Sequence, residues 1–189
     1  MKRLLLILIL TFSYQSWTIA EDIKDFQIEG ISLGDSLLDY YTEEEIIDNK
    51  SNYPYKDKTF YSVSFRSKKF KTYEALQIHL KTNDKKYIIY ALGGIIFFEK
   101  KINDCYKKKK NISSELSSIF KNVSKEEHQK QKSSYDASST IESTYFFFKT
   151  NDYIKIQCYD WSEKLTKEKN WIDNLRIVIG FEEFYKWKR

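Results

Sequence analysis

Apolar and polar positions alternate with a period of two in several stretches of the chain. In Phe60 to Arg66 the odd positions Tyr61, Val63 and Phe65 are apolar, and in Ala75 to Lys81 the even positions Leu76, Ile78 and Leu80 are. Such alternation predicts strands with one face on a core and one in water. Lys86 to Phe98 reads as a longer strand interrupted at Gly93-Gly94, where a bulge or sharp bend is expected. A second set comprises Ile141 to Lys149, Tyr153 to Asp160 and Asn174 to Ile179. Its inward positions are Ile154, Ile156 and Cys158, then Leu175, Ile177 and Ile179.

Helical spacing marks the segments between. Ser36 with Asp39 makes an approximate capping box ahead of Leu37, Leu38 and Tyr41, and Thr42 with Glu45 repeats the signal ahead of Ile46-Ile47. A short helix, a jog and another helical turn follow from this, then a loop from Asn49 to Lys58 marked by Pro54, the only proline. Asp104 is placed to cap a helix reaching about Phe120, with Cys105, Ile112, Leu116, Ile119 and Phe120 on its inner face. The polar stretch Lys121 to Thr140 has only Val123, Tyr135 and Ala137 to anchor it and reads as a long mobile loop. Phe181-Glu-Glu-Phe-Tyr185 spaces its aromatics as a closing helical turn.

Two corners share one sequence. Lys81-Thr-Asn-Asp84 and Lys149-Thr-Asn-Asp152, 68 positions apart, each separate two apolar strands. Asn and Asp suit such corners because both tolerate left-handed backbone angles and can bond their own main chain. The expectation is α+β, with an antiparallel sheet built from two α-β-β-β units, repeats 28–100 and 101–189, and helices packed on one face.

The N-terminus changes the picture. Met1-Lys-Arg3 is positive, Leu4 to Leu10 is unbroken aliphatic, and Thr18-Ile-Ala20 is a small-residue site before acidic Glu21-Asp22. Residues 1–20 therefore read as a secretory signal peptide cut after Ala20, leaving one α+β domain over 21–189. No cysteine adjoins the cut, as lipid attachment there would require. The mature 169 residues hold 30 basic and 27 acidic side chains, a net of +3. Residues 21–50 carry ten acidic and two basic side chains, and the remainder carries 28 basic and 17 acidic. This segregation argues for a two-faced surface and gives no strong case for nucleic acid. Tyr and Phe number 28 against five Gly and one Pro, so the chain is not of low complexity.

Cys105 and Cys158 are the only cysteines, one at a helix start and one on an inward strand position. In an oxidising compartment they are expected to form a disulfide; two free buried thiols are the alternative. His79, on the outward face of a strand, and His128, in the polar loop, are too few and too far apart in sequence to suggest a zinc site. Glu43-Glu-Glu45 completes a helix dipole, and Lys107 to Lys110 read as a solvated run. No phosphate loop, dinucleotide fingerprint or Gly-x-Ser-x-Gly is present, so no catalytic residue and no cofactor is proposed. Asp160-Trp161-Ser162, ending a strand, could rim a binding groove, or Trp161 could simply lid the core.

Through Ile31-Ser-Leu-Gly-Asp-Ser-Leu-Leu-Asp-Tyr40, Lys85-Lys-Tyr-Ile-Ile-Tyr90 and Ile156-Gln-Cys-Tyr-Asp-Trp-Ser162, the chain resembles a group of uncharacterised exported proteins of marine alphaproteobacteria. The resemblance implies a periplasmic setting and brings no catalytic residues. Gly30 to Leu38 is also similar to small envelope proteins of the outer-membrane-assembly lipoprotein and β-lactamase-inhibitor-like α+β folds, which act by binding proteins. The expected role is thus a soluble periplasmic, non-enzymatic binding or envelope-assembly accessory protein with an envelope protein partner. It would touch the membrane only transiently, through the signal peptide. A small envelope hydrolase and a signal-anchored, periplasm-facing protein are the alternatives.

Overall fold

The computed structural model describes residues 23–51, 55, 57–99 and 101–189. The signal segment and its cut lie outside them, as does Pro54. The alternating segments pair as seven strands: β1 (Phe60–Arg66), β2 (Ala75–Lys81), β3 (Ile89–Phe97), β4 (Ser124–Lys132), β5 (Thr140–Phe147), β6 (Tyr153–Asp160) and β7 (Asn174–Gly180). They form one sheet in the order β1-β2-β3-β7-β6-β5-β4, antiparallel at every step. Four helices complete the α+β fold: α1 (Glu43–Asp48), α2 (Ile102–Ile119), α3 (Glu163–Lys169) and α4 (Glu182–Lys188). The first three strands make one meander. The chain then crosses to the far edge, and its last strand closes the sheet against β3.

Both Lys-Thr-Asn-Asp corners are hairpin turns, β2–β3 and β5–β6, and Asn83 (φ 65°) and Asn151 (φ 62°) take the left-handed conformation. The glycine pair behaves otherwise than expected. Gly93 and Gly94 stay in regular register with Gln77 and Leu76, and the irregularity falls between His79 and Leu80. Gly94 is instead a packing residue: a Cβ there would lie 2.4 Å from the Tyr73 ring. Gly180 likewise sits against Tyr153, whose ring would be 2.6 Å from an added Cβ.

One sheet face carries Val63, Leu76, Ile78, Leu92, Ile154, Ile156, Ile177 and Ile179, all buried. A strap before β1 covers its first half. Within it Ile23, Ile28, Leu37 and Ile46 are buried, Leu37 N–H donates to Tyr87 O (2.9 Å), and Tyr41 stacks on Phe65 at 3.8 Å. The Thr42–Glu45 capping box starts α1 as expected. Ser36 caps only a 3-10 turn, Leu37–Asp39, from which Leu38 points to solvent. Glu29 accepts from the N–H groups of Lys71, Thr72 and Tyr73 at 2.7–3.0 Å. Desolvation opposes its ionisation, but these donors hold its carboxyl below the usual value.

Helix α2 covers the other half, starting at Ile102 without a side-chain cap. Its inner stripe is Cys105, Lys109, Ser113, Leu116 and, just past its end, Phe120. Ile119, expected inside, is exposed: it is the last residue of the helix and lies at the edge of that stripe, about 80° from its centre at ~100° per residue. Lys109, expected in a solvated run, is buried and pairs with Glu142 of β5 at 3.0 Å. Cys105 is bonded to Cys158 of β6, with Cα atoms 6.0 Å apart.

Three further expectations are corrected. Residues 121–140 are no mobile loop throughout: β4 is an edge strand paired with β5. Most of it is exposed on both sides, so no alternation betrays it. Helix α3, capped by Ser162, was not foreseen. Helices also lie on both faces, since α4 packs Phe184 opposite α2, against Phe60, His79 and Trp187. The second half of the chain accordingly has four strands rather than three.

Replacing Cys105 and Cys158 together by alanine removes a 53-residue cross-link, and urea unfolding should show a loss of roughly 4 kcal/mol. An unchanged midpoint would refute the stapling. Gly180→Ala meets a fully buried Tyr153 and should cost about 1–3 kcal/mol in the same assay.

Candidate functional site

Opposite α2, the even-odd alternation that buries one side of the central strands turns polar side chains to the other. Gln77 and His79 come from β2, Lys155 and Gln157 from β6, and Asn174 and Arg176 from β7. Register places Arg176 between Ile95 of β3 and Gln157 of β6, and Lys155 opposite Val178. Helix α4 roofs one end of this surface. The loop between β4 and β5, with the α3 region, walls the other with Tyr135, Trp161 and Trp171. Between them lies a cleft of about 480 Å³, within the range of small-molecule sites.

Its charge is one-sided. Among the described lining residues, Arg66, Lys155, Arg176 and Lys188 are basic and none is Asp or Glu. Lys155 is only 8% exposed, yet its ammonium makes no hydrogen bond or ion pair among the described residues; the Tyr145 ring centroid lies 5.8 Å from Nζ. Burial first, then the charges of Lys188 and Arg176, push its pKa well below the ordinary lysine value. Lys188 is exposed overall, but desolvation of its ammonium and then Arg176 lower it to about 8, which leaves it mostly protonated at neutral pH. Arg176 donates from Nε to Asn174 Oδ1 (3.0 Å) and lies 4.7 Å from the Tyr159 ring centroid. The amide floor is ordered too: Gln157 donates to Ser143 Oγ and accepts from the Tyr159 hydroxyl, both at 2.8 Å.

His79, expected to face outward, is on the expected side of β2 but only 3% exposed, because α4 covers it. Its Nδ1 and the Tyr55 hydroxyl share a hydrogen bond of 2.8 Å. Burial, then Lys188, Lys155 and Arg176, hold the imidazole well below its usual pKa and therefore neutral. His128 is on β4, edge to face with Tyr145 and 3.6 Å from Glu126. Among the described residues, no three His, Cys, Asp or Glu side chains are grouped to hold a metal ion.

The expected rim is split. Trp161 does line the cleft; it is 8% exposed, 4.6 Å from Trp171 and stacked on Tyr159 at 5.1 Å. Asp160 turns to the α2 side, where it accepts from Tyr106 (3.2 Å) and Thr140 (3.3 Å), and Ser162 bonds Asp136 and caps α3. Period two separates these neighbours: adjacent strand residues cannot share a face. The cations were missed for a related reason. Lys155 and Arg176 sit among Ile, Val and Leu, where an isolated polar residue reads as the wet side of a strand. What betrays them is that no acidic residue stands opposite either: Lys155 faces Tyr145 and Val178, and Arg176 faces Gln157 and Ile95.

Comparison with models of known protein families, with curated proteins and with solved structures finds no match to this chain. Among the described residues, no helix is long and apolar enough to cross a membrane.

An imidazole whose folded pKa lies below its unfolded value of about 6.5 leaves stability flat above that pH. As the pH falls further, the unfolded chain takes up a proton that the fold refuses, and stability drops. His79→Gln should therefore lose less stability than the parent between about pH 6.5 and pH 5, by up to about 1.4 kcal/mol per pH unit. Urea titrations at stepped pH read this directly, and parallel slopes for the two proteins would refute it.

Proposed function

We propose that the chain is an exported, non-enzymatic binding or envelope-assembly accessory protein of the periplasm, and that it works through the basic cleft. The observation carrying this reading is the buried Lys155 beside Arg176 and Lys188, with no carboxylate among the described lining residues. A buried lysine with like charges beside it is costly to ionise, so this grouping in a recess is explained by an acidic partner whose charge favours the ammonium. The pattern of Met1 to Ala20 supports export, and the cystine suits an oxidising compartment. Doubling of one α-β-β-β unit belongs to the same reading. It is supported by the matched corners at Asn83 and Asn151, with β7 and its two flanking helices added to the second copy.

The hydrolase alternative has one observation in its favour, the enclosed His79–Tyr55 pair, since a neutral imidazole is the protonation state a general base needs. That nitrogen is already taken by the tyrosine, and a carboxylate pair for acid–base work is missing from the described lining.

Full-length protein exported in a Gram-negative host and examined by native mass spectrometry tests the reading. A mature chain starting at Glu21 is expected, retaining an acidic partner at fixed stoichiometry and losing it in the Lys155→Met, Arg176→Gln double variant. A retained 1–20 segment favours the anchored alternative. A partner held equally by the variant, or turnover of envelope material that dies with His79→Gln, would sink the binding proposal.

A further inference from the structure

The proposed function leaves the kind of acidic partner open, and the shape of the cleft narrows it. A protein partner of ordinary affinity needs a broad patch, roughly 800 Å² on each side. What the chain offers instead is a recess closed at one end by α4 and walled at the other by indoles. The most buried cation of the cleft, Lys155, belongs to a central strand, β6, rather than to a rim where a flat partner would meet it first.

The lining divides into two chemistries. Lys155, Arg176 and Lys188 line it together with the carboxamides of Gln77 and Gln157, an array of donors suited to a group with several acceptor oxygens. Trp161 and Trp171 line the end away from α4, where Tyr135 stands edge-on to Trp171 with centroids 5.0 Å apart. Trp171 is only partly buried, so its indole is available to a ring as well as to its neighbours. An aromatic wall of this kind holds a planar or sugar ring by stacking, and tolerates its identity.

Resting on the binding reading above, we infer that the cleft takes a small ring-bearing anion, its phosphate or carboxylate groups held by Lys155, Arg176 and Lys188 and its ring lying against Trp171. The basic end supplies most of the affinity and the aromatic end the preference for a ring. Because Arg176 is steadied by Asn174 and Tyr159, its guanidinium is presented with little freedom left to lose.

Four probes decide the matter on the full mature chain, by tryptophan fluorescence and calorimetry: phenyl phosphate, isophthalate, inorganic phosphate and phenol. Phenyl phosphate or isophthalate should saturate a single site at least tenfold more tightly than inorganic phosphate or phenol. Which of the two binds better assigns the phosphate or the carboxylate source. Lys155→Met and Arg176→Gln should each weaken that binding at least tenfold, while Trp171→Ala should bring the ring-bearing probe down to the level of its ring-free counterpart. Far-ultraviolet circular dichroism and urea midpoints confirm that each variant is folded; should Trp171→Ala not fold, Trp171→Leu replaces it. Absence of saturable binding to all four, or binding untouched by Lys155→Met and Arg176→Gln, overturns the inference. If the mass-spectrometric experiment still shows a protein partner lost in the Lys155→Met, Arg176→Gln double variant, the small-ligand inference alone falls. If that partner is missing too, the binding reading falls with it.

Discussion

The pairing of β3 with β7 is the constraint on which this molecule depends. It is the one ladder that joins the two meanders, running from Ala91–Gly180 to Phe97–Asn174. Without it the chain would be two small sheets, each with an edge that must be hidden. Sequence separation makes the pairing costly to find, since some eighty residues intervene and loop closure is entropically unfavourable. The Cys105–Cys158 bond offsets part of that cost. It fixes α2 over β6, the immediate neighbour of β7, and lies wholly within the stretch that the β3–β7 pairing closes, so it shortens the free loop.

The same ladder makes the cleft. Arg176 reaches the floor only because β7 lies between β3 and β6, bringing it level with Ile95 on one side and Gln157 on the other. In the order of the chain, Gln77, Lys155 and Arg176 belong to three separate segments. Topology, not local pattern, assembles them.

That explains how far a reading of residues could go. Strands β1, β2 and β6 were legible to their ends because each puts aliphatic or aromatic side chains on one side and polar ones on the other. The Asn corners were legible because the left-handed backbone restricts which residues fit. The cystine was legible from the count of two cysteines, placed at a helix start and on an inward strand position. Strand β4 was not, since its nine residues lie at an edge with no buried position, and its pairing is a property of β5 rather than of its own side chains. His79 was misplaced for a similar reason: period two gives its side of the sheet, but whether that side is wet depends on α4, more than a hundred residues later. Of Asp160, Trp161 and Ser162, expected as a rim, the cleft takes in Trp161 alone, because consecutive residues on a strand leave by opposite faces.

The cations of the cleft are not simply part of a basic, solvated surface. Strand β4 shows how this chain handles charge meant for water: Lys125 pairs with Glu127 at 2.6 Å, Lys130 lies 3.7 Å from Asp160, and His128 stands by Glu126. Mixed signs on an exposed edge favour solubility and discourage edge-to-edge association. Even the one buried lysine on the α2 side, Lys109, has its carboxylate in Glu142. Lys155 and Arg176 depart from that practice at the position where departure is most costly, on adjoining central strands, with Lys188 directed at the same recess. A chain that elsewhere sets acids beside its buried and edge lysines here surrounds them with carboxamides and aromatic rings, and on that contrast the proposal of an acidic ligand rests.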